Sequence, residues 1–267
     1  MLFRSLVSLD HANLVKGYAH GRHGPLVYLA MEFLDGETAL ETLERDGGFT
    51  ETRAVEIVLQ TAEVLAYLQG RGFVHCDIKP GNIMLLKNGR SKLLDLGFAK
   101  PVGKGAAGAE SETTSGTVQY MSPEQARGQA DLDARADIYS LGATLYHMVM
   151  GQVPFSGGDS LEVMAKQVME ALNSTEIKNR RFSKHLHYFI ERMMTKDKAL
   201  RYQTPGELIE DIKSQMEGFS SLEFKPDERP SATRILQGLR GAPGASGPVD
   251  GGGNSTRRLR PPQRPAR

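Results

Sequence analysis

The 267 residues include a single cysteine, so no internal disulfide can brace the fold. That scarcity suits a reducing compartment. Charge of one sign is also missing: 33 Lys and Arg against 32 Asp and Glu leave a formal net charge of +1. Such a balance provides no field to draw the chain to nucleic acid or to a membrane surface. No apolar run reaches the roughly 20 residues that a bilayer-spanning helix needs. The longest candidate, "ADIYSLGATLYHMVMG" at 136–151, reads instead as a helix buried in a large lobe. The opening "MLFRSLVSLDHANLV" is interrupted by Arg4 and Asp10 and makes a poor secretory signal. Together these absences lead to the expectation of a soluble, cytoplasmic protein.

What is present is ordinary globular material. Hydrophobic residues make up 39% and charged residues 24% of the chain, and its length can bury a sizeable core. After about residue 222 the composition shifts to Gly, Pro and Arg, and 223–267 is expected to be a disordered tail. Its end carries Arg257, Arg258, Arg260, Arg264 and Arg267 without an acid, and reads as a solvated segment.

Helical patterns dominate the middle. "TETRAVEIVLQTAEVLAYLQGRG" (50–72) puts Ala54, Ile57, Val58, Val64, Leu65 and Leu68 near one face, with Thr50 to cap its start. "TPGELIEDIKSQM" (204–216) opens with Thr204, Pro205 and Glu207, a capping-box spelling, and "SPEQARG" (122–128) opens the same way. Further helices are expected over 160–171 and 184–194. Strand-like pieces are short: 14–20, 26–33, 83–86 and 91–96, the last two joined by "KNGR", whose Asn88-Gly89 is a strong hairpin signal.

The stretch from His75 to Gly97 combines a polar loop, that hairpin, and then another acid before a glycine. Asp77 and Asn82 precede the hairpin and Asp95 follows it. Because a hairpin brings the chain back to its start, Asp95 is expected close to Asn82. Oxygen ligands gathered beside Lys79 suit Mg²⁺ and nucleotide phosphates, since Mg²⁺ takes one or two protein oxygens and completes its shell with phosphate and water. Taken singly, an Asp or Asn on a loop is a turn former. His11, His20, His23, His147, His185 and His187 form no ligand spacing.

This run resembles the eukaryotic-type protein kinase family. His75-Cys76-Asp77-Ile78-Lys79-Pro80-Gly81-Asn82 is similar to the family's catalytic loop, Asp95-Leu96-Gly97 to its metal-binding tripeptide, and Ser122-Pro123-Glu124 to the close of its activation segment. "GTVQYMSPEQ", "DIYSLG", "GQVPF" and "DKALRY" follow in the family's order, and "MEFLDGETAL" looks most like the bacterial serine/threonine members. The resemblance covers residues 1 to about 220. It implies an α+β, kinase-like fold: a remnant of the β-rich small lobe at 1–31, a hinge at 32–36, and a mostly helical large lobe at 37–222.

The resemblance also implies roles. Asp77 would orient the substrate hydroxyl and accept its proton, while Asn82 and Asp95 hold Mg²⁺, with Mn²⁺ as the alternative. Lys79 would face the transferring phosphate of ATP, and Thr117 would bond Asp77 and Lys79. Met31 would be the gatekeeper, the backbones of Glu32 and Leu34 would meet adenine, and Met84 would lie beneath the purine; both methionines also suit a plain core. His75 would be a packed loop residue, Glu124 and Arg201 a buried ion pair, and Asp137 the anchor of the catalytic loop. The partner would be a protein presenting Ser or Thr, with no nucleic acid and no membrane segment. The acidic stretch 35–46 raises the expectation of a basic substrate.

Two departures bear on activity. Cys76 stands where the family's Arg pairs with phosphate on the activation segment, a task a thiol cannot perform. Phosphorylation at the candidate sites Ser111, Thr113, Thr114 or Ser115 is therefore expected not to switch activity. The second departure is that no G-x-G-x-x-G stands ahead of the catalytic loop and no Lys follows a Val-Ala-Ile run, and the Glu that would pair with such a Lys should fall near Leu2, where there is none. An N-terminally truncated kinase sequence is expected on this ground. The alternative is a catalytically impaired binding or scaffold module.

Overall fold

The computed structural model describes residues 8–96, 99–102, 118–172 and 182–216. It opens with an antiparallel hairpin, β1 (Gly17–His23) and β2 (Leu26–Met31), in which Gly17 faces Met31 and His23 faces Leu26. Among the described residues no other strand joins either edge of this pair, and Tyr18, Leu26, Val27 and Tyr28 are exposed. The first strand starts later than its sequence pattern. Residues 13–15 are engaged elsewhere: Leu93 N donates to Asn13 O and Val15 N to Leu93 O, while Leu14 is buried.

After an irregular link at 32–35, the chain forms β3 (Gly36–Thr38) and α1 (Ala39–Asp46). Thr38 and Glu41 cap α1 reciprocally, a Thr-x-x-Glu box. Helix α2 (Glu51–Gln69), capped by Thr50, buries all six residues of the face read from its periodicity. Then come β4 (Phe73–Val74), β5 (Ile83–Leu86), β6 (Ser91–Leu93) and β7 (Lys100–Pro101). β5 is the centre of an antiparallel β3–β5–β6 sheet, and β4 pairs with β7. Gly89, at φ +82°, makes the turn between β5 and β6, and Leu86 N closes it on Arg90 O.

The remainder is helical: α3 (Pro123–Ala126), α4 (Ala134–Met150), α5 (Ser160–Met169), α6 (Lys184–Met193) and α7 (Pro205–Met216). Helix α4 is buried on nearly every side, which explains why its sequence is apolar throughout rather than striped. It packs against α2 and α6. At Gly142 a Cβ would meet Met193 Cβ at 2.7 Å, so only glycine lets this turn approach the end of α6. The core runs from Ile57 and Leu65 through Ile78, Ile83 and Leu93 to Tyr139, Leu186 and Ile212. It ties the catalytic-loop segment to the helices on either side. The architecture is α+β: a helical body with small sheets at one end.

Candidate active site

The loop between β4 and β5 is set by α4. Asp137 is 2% exposed, and its two oxygens accept the amides of His75 and Cys76 at 2.8 Å each. Burial pushes its carboxyl up to about 7, against the pull of the two amide donors, which favour the carboxylate. The His75 ring is fully buried. Its Nδ1 accepts Asp77 N at 3.2 Å, so Nε2 carries the hydrogen and donates to Leu94 O at 3.1 Å. Desolvation holds this imidazole below its ordinary pKa and therefore neutral. Neutral and doubly bonded, His75 serves as a strut between the loop and β6.

Cys76 takes a left-handed backbone, φ +67°, which strains a residue bearing a Cβ. Three contacts hold it there: Asp137 on its amide, Gln125 Nε2 on its carbonyl at 2.9 Å, and the packing of its side chain, whose thiol pKa burial pushes far up. Gln125 is the capping-box residue of α3, so one side chain closes that helix and steadies the loop.

Asp77 lies at the centre. Lys79 Nζ stands 2.9 Å from its Oδ2 and 3.0 Å from its Oδ1. Asn82 Nδ2 donates to both Asp77 O and Asp77 Oδ2 at 2.8 Å. Because both amide hydrogens of Asn82 point at Asp77, its Oδ1 is turned the other way. The turn Pro80–Asn82 fixes this placement, with Asn82 N on Lys79 O. Asp77 is 4% exposed, so the expected base is enclosed beneath Lys79 and Asn82 instead of standing open to solvent.

The hairpin brings the second acid back. Leu94 N donates to Asn82 O at 2.8 Å, β6 ends, and Asp95 follows at φ +48° with its side chain exposed. Two oxygen donors, Asn82 Oδ1 and the Asp95 carboxylate, thus belong to neighbouring backbone. No cluster of three or more His, Cys, Asp or Glu able to hold a metal occurs among the described residues. That donor set suits an ion which brings its own phosphate and water ligands, as Mg²⁺ does, and does not suit a metal caged by protein alone.

The remaining candidates are scattered. Met84 lies on β5 opposite Thr38 and Lys92. Met31 ends β2 and is exposed, and Leu34 is half-buried. The Glu32 amide donates to Lys16 O, which leaves its carbonyl as the backbone group able to meet a base. Its side chain is held by Lys92 Nζ and by Lys16 N, a pairing no spacing in the sequence announces. Glu124 receives Arg201 through two parallel contacts of 2.6 and 2.9 Å. Arg201 spends its other N–H groups on Thr195 O, Arg135 O and Lys196 O, so all five guanidinium hydrogens are used in a buried site. Thr117, Gly97 and the candidate phosphosites Ser111, Thr113, Thr114 and Ser115 lie outside the described residues. A G-x-G-x-x-G spelling does occur, Gly103 to Gly108, but it follows Asp95 and lies ahead of no described helix start.

The amino-acid sequence that builds this arrangement is matched by known proteins. The protein kinase domain family matches residues 3–238, and the chain belongs to that family. It is similar to the serine/threonine-protein kinase PknB of Mycolicibacterium smegmatis, 32% identical over 98% of this chain and 41% of that protein. It is also similar to PknB of Mycobacterium tuberculosis, 33% identical over 78% of this chain and 34% of that protein. These relatives place it in the bacterial serine/threonine branch. The chain spans about two fifths or less of the length of the relatives it matches.

Proposed function

We propose that the chain transfers the γ-phosphate of ATP to serine or threonine hydroxyls of protein substrates in the cytoplasm, with Mg²⁺, or Mn²⁺ in its place, as the cation that would neutralise phosphate charge when bound. The observation that carries this reading is the Asp77–Lys79–Asn82 knot, held from α4 by Asp137 and brought beside Asp95 by the β5–β6 hairpin. In the transfer, the substrate oxygen bonds to the γ-phosphorus, the bond to the bridging oxygen breaks, ADP departs, and the hydroxyl proton passes to Asp77. Lys79 supplies a compact positive charge beside that carboxylate, and Asn82 and Asp95 would hold the metal. Residues 1–31, 32–36 and 37–222 serve as small-lobe segment, hinge and large lobe, with 223–267 as a tail. The stretch at 31–34 and Met84 receive the adenine.

One observation favours a second reading, a nucleotide-binding or scaffold module without turnover: Asp77, the proposed base, is 4% exposed. The test is transfer of labelled γ-phosphate to a generic Ser/Thr protein substrate, paired with a thermal-shift titration of MgATP. Turnover that falls about 10²–10⁴-fold in Asp77→Asn supports the enzyme. A thermal shift without turnover gives the scaffold reading, and neither signal overturns both.

A further inference from the structure

Beside the catalytic loop, on the α1 side, lies a cavity of about 660 Å³. Lys79 lines it, and the same ammonium contacts Asp77, so the cavity is continuous with the candidate reaction centre. Leu40 and Leu43 of α1 and Val153 beyond the end of α4 give it aliphatic walls, and the uncharged amides of Gln119 and Gln152 complete the lining. Gly81 also lines it, and a Cβ there would stand in ordinary van der Waals contact with Leu40 Cδ2 at 3.7 Å. At its base the Tyr120 hydroxyl meets His147 Nδ1 at 2.7 Å, and burial holds that imidazole below its ordinary pKa, so no charge stands there at neutral pH.

The acidic stretch that suggested basic substrates does not supply this cavity with a cluster of carboxylates. Asp35 pairs with Lys87, Glu37 and Asp46 pair with Arg45, and Glu41 is spent on the Thr38 cap. Of these acids, Glu44 alone lines the cavity. A lining with one carboxylate, two uncharged amides and three aliphatic side chains favours area removed from water over paired cations.

Resting on the phosphotransfer reading, we infer that this cavity selects protein substrates carrying a bulky apolar side chain near the acceptor hydroxyl. In an extended segment, residues two apart project from the same face about 7 Å apart. The side chain that fills the cavity therefore belongs to a residue within about three positions of the Ser or Thr.

The test uses the full chain and Gly/Ala peptides containing one Ser, with Leu, Arg or Ala placed in turn at each position from −3 to +3. One position is expected to prefer Leu over Ala at least tenfold. Leu40→Glu and the milder Leu40→Ala, both checked for intact thermal unfolding, should erase that preference and leave the Ala-peptide rate unchanged. A preference for Arg that Glu44→Gln removes would overturn the inference, as would rates indifferent to every substitution. A second arm does not need turnover: the same peptides carrying photoreactive benzoylphenylalanine should form adducts on Leu40, Leu43 or Val153. Adducts on those residues without phosphorylation would refute the enzyme reading and keep the cavity's assignment. Adducts mapping elsewhere would refute the assignment whether or not phosphate is transferred.

Discussion

Asp137 reaches Cys76 across 61 positions of sequence and accepts its amide at 2.8 Å. With the neighbouring bond to His75 N, it holds two consecutive peptide groups of the catalytic loop from the first turn of a buried helix. The left-handed backbone at Cys76 persists because this grip over-determines it. Hydrogen bonds to a charged acceptor contribute about 1.5–3 kcal/mol each, so Asp137→Ala should lower urea-unfolding stability by about 3 kcal/mol. The loop should also loosen before the whole chain unfolds. The half-buried Cys76 thiol, kept protonated by desolvation, is expected to label slowly in the native protein and at least tenfold faster in the variant. Equal labelling rates in the two proteins would show that Asp137 does not control the loop.

The Glu124–Arg201 pair predicts a non-additive result. Removing one partner leaves a buried charge with nothing opposite it, a loss of about 3–5 kcal/mol. Glu124→Gln or Arg201→Met alone should therefore destabilise strongly, while a well-packed Glu124→Leu/Arg201→Met double variant should recover part of the loss. Recovery will be incomplete, because Arg201 also donates to three backbone carbonyls that a Met leaves unpaired. Chemical denaturation of the four proteins gives the coupling directly.

The sequence made some of this legible and hid the rest for physical reasons. Caps and hairpins are local, so Thr50, Thr204 and Asn88-Gly89 announced their elements correctly. Helix α1 went unread although Thr38-x-x-Glu41 spells its capping box, because its eight residues are too few for periodicity to stand out. The pattern at 91–96 promised a longer strand, but the ladder ends at Leu93, where Leu94 turns its amide to Asn82 and its carbonyl to His75. The site's order along the chain came from resemblance. What no spacing could provide was the pairing across elements: Gln125 on Cys76, Lys92 on Glu32, and His147 beneath Tyr120. Each joins residues 27 or more positions apart, where only the folded chain sets the distance.

His147 gives a pH dependence with a definite sign. Desolvation lowers its pKa from 6.5, so the unfolded chain takes up a proton at a pH where the folded chain does not. The stability it contributes is present above pH 6.5 and is lost as the pH falls below it. Thermal unfolding of the native protein and of His147→Gln should therefore converge between pH 6.5 and 5, the native protein losing more. The variant comparison isolates His147 from Asp137, whose raised pKa acts in the opposite direction over the same range. Parallel pH profiles would mean that folding leaves the pKa of this imidazole unshifted.

Asn82 offers the sharpest separation of positioning from metal binding. Its Nδ2 steadies Asp77 while its Oδ1 faces away, so Asn82→Asp changes both functions in opposite senses. The new carboxylate keeps an oxygen for Mg²⁺ but sets a second negative charge where the amide donor stood, 2.8 Å from Asp77 Oδ2. Like charges at that distance push one carboxyl's pKa strongly upward, which would leave the pair sharing a proton. Phosphotransfer in Asn82→Asp should fall about 10²–10³-fold, with partial recovery as pH rises and the pair loses that proton. Asn82→Ala should show no such recovery, since it removes the metal oxygen and the steadying donor together. Measuring transfer against pH at saturating Mg²⁺ distinguishes the two, and identical profiles would place the metal oxygen somewhere other than Asn82.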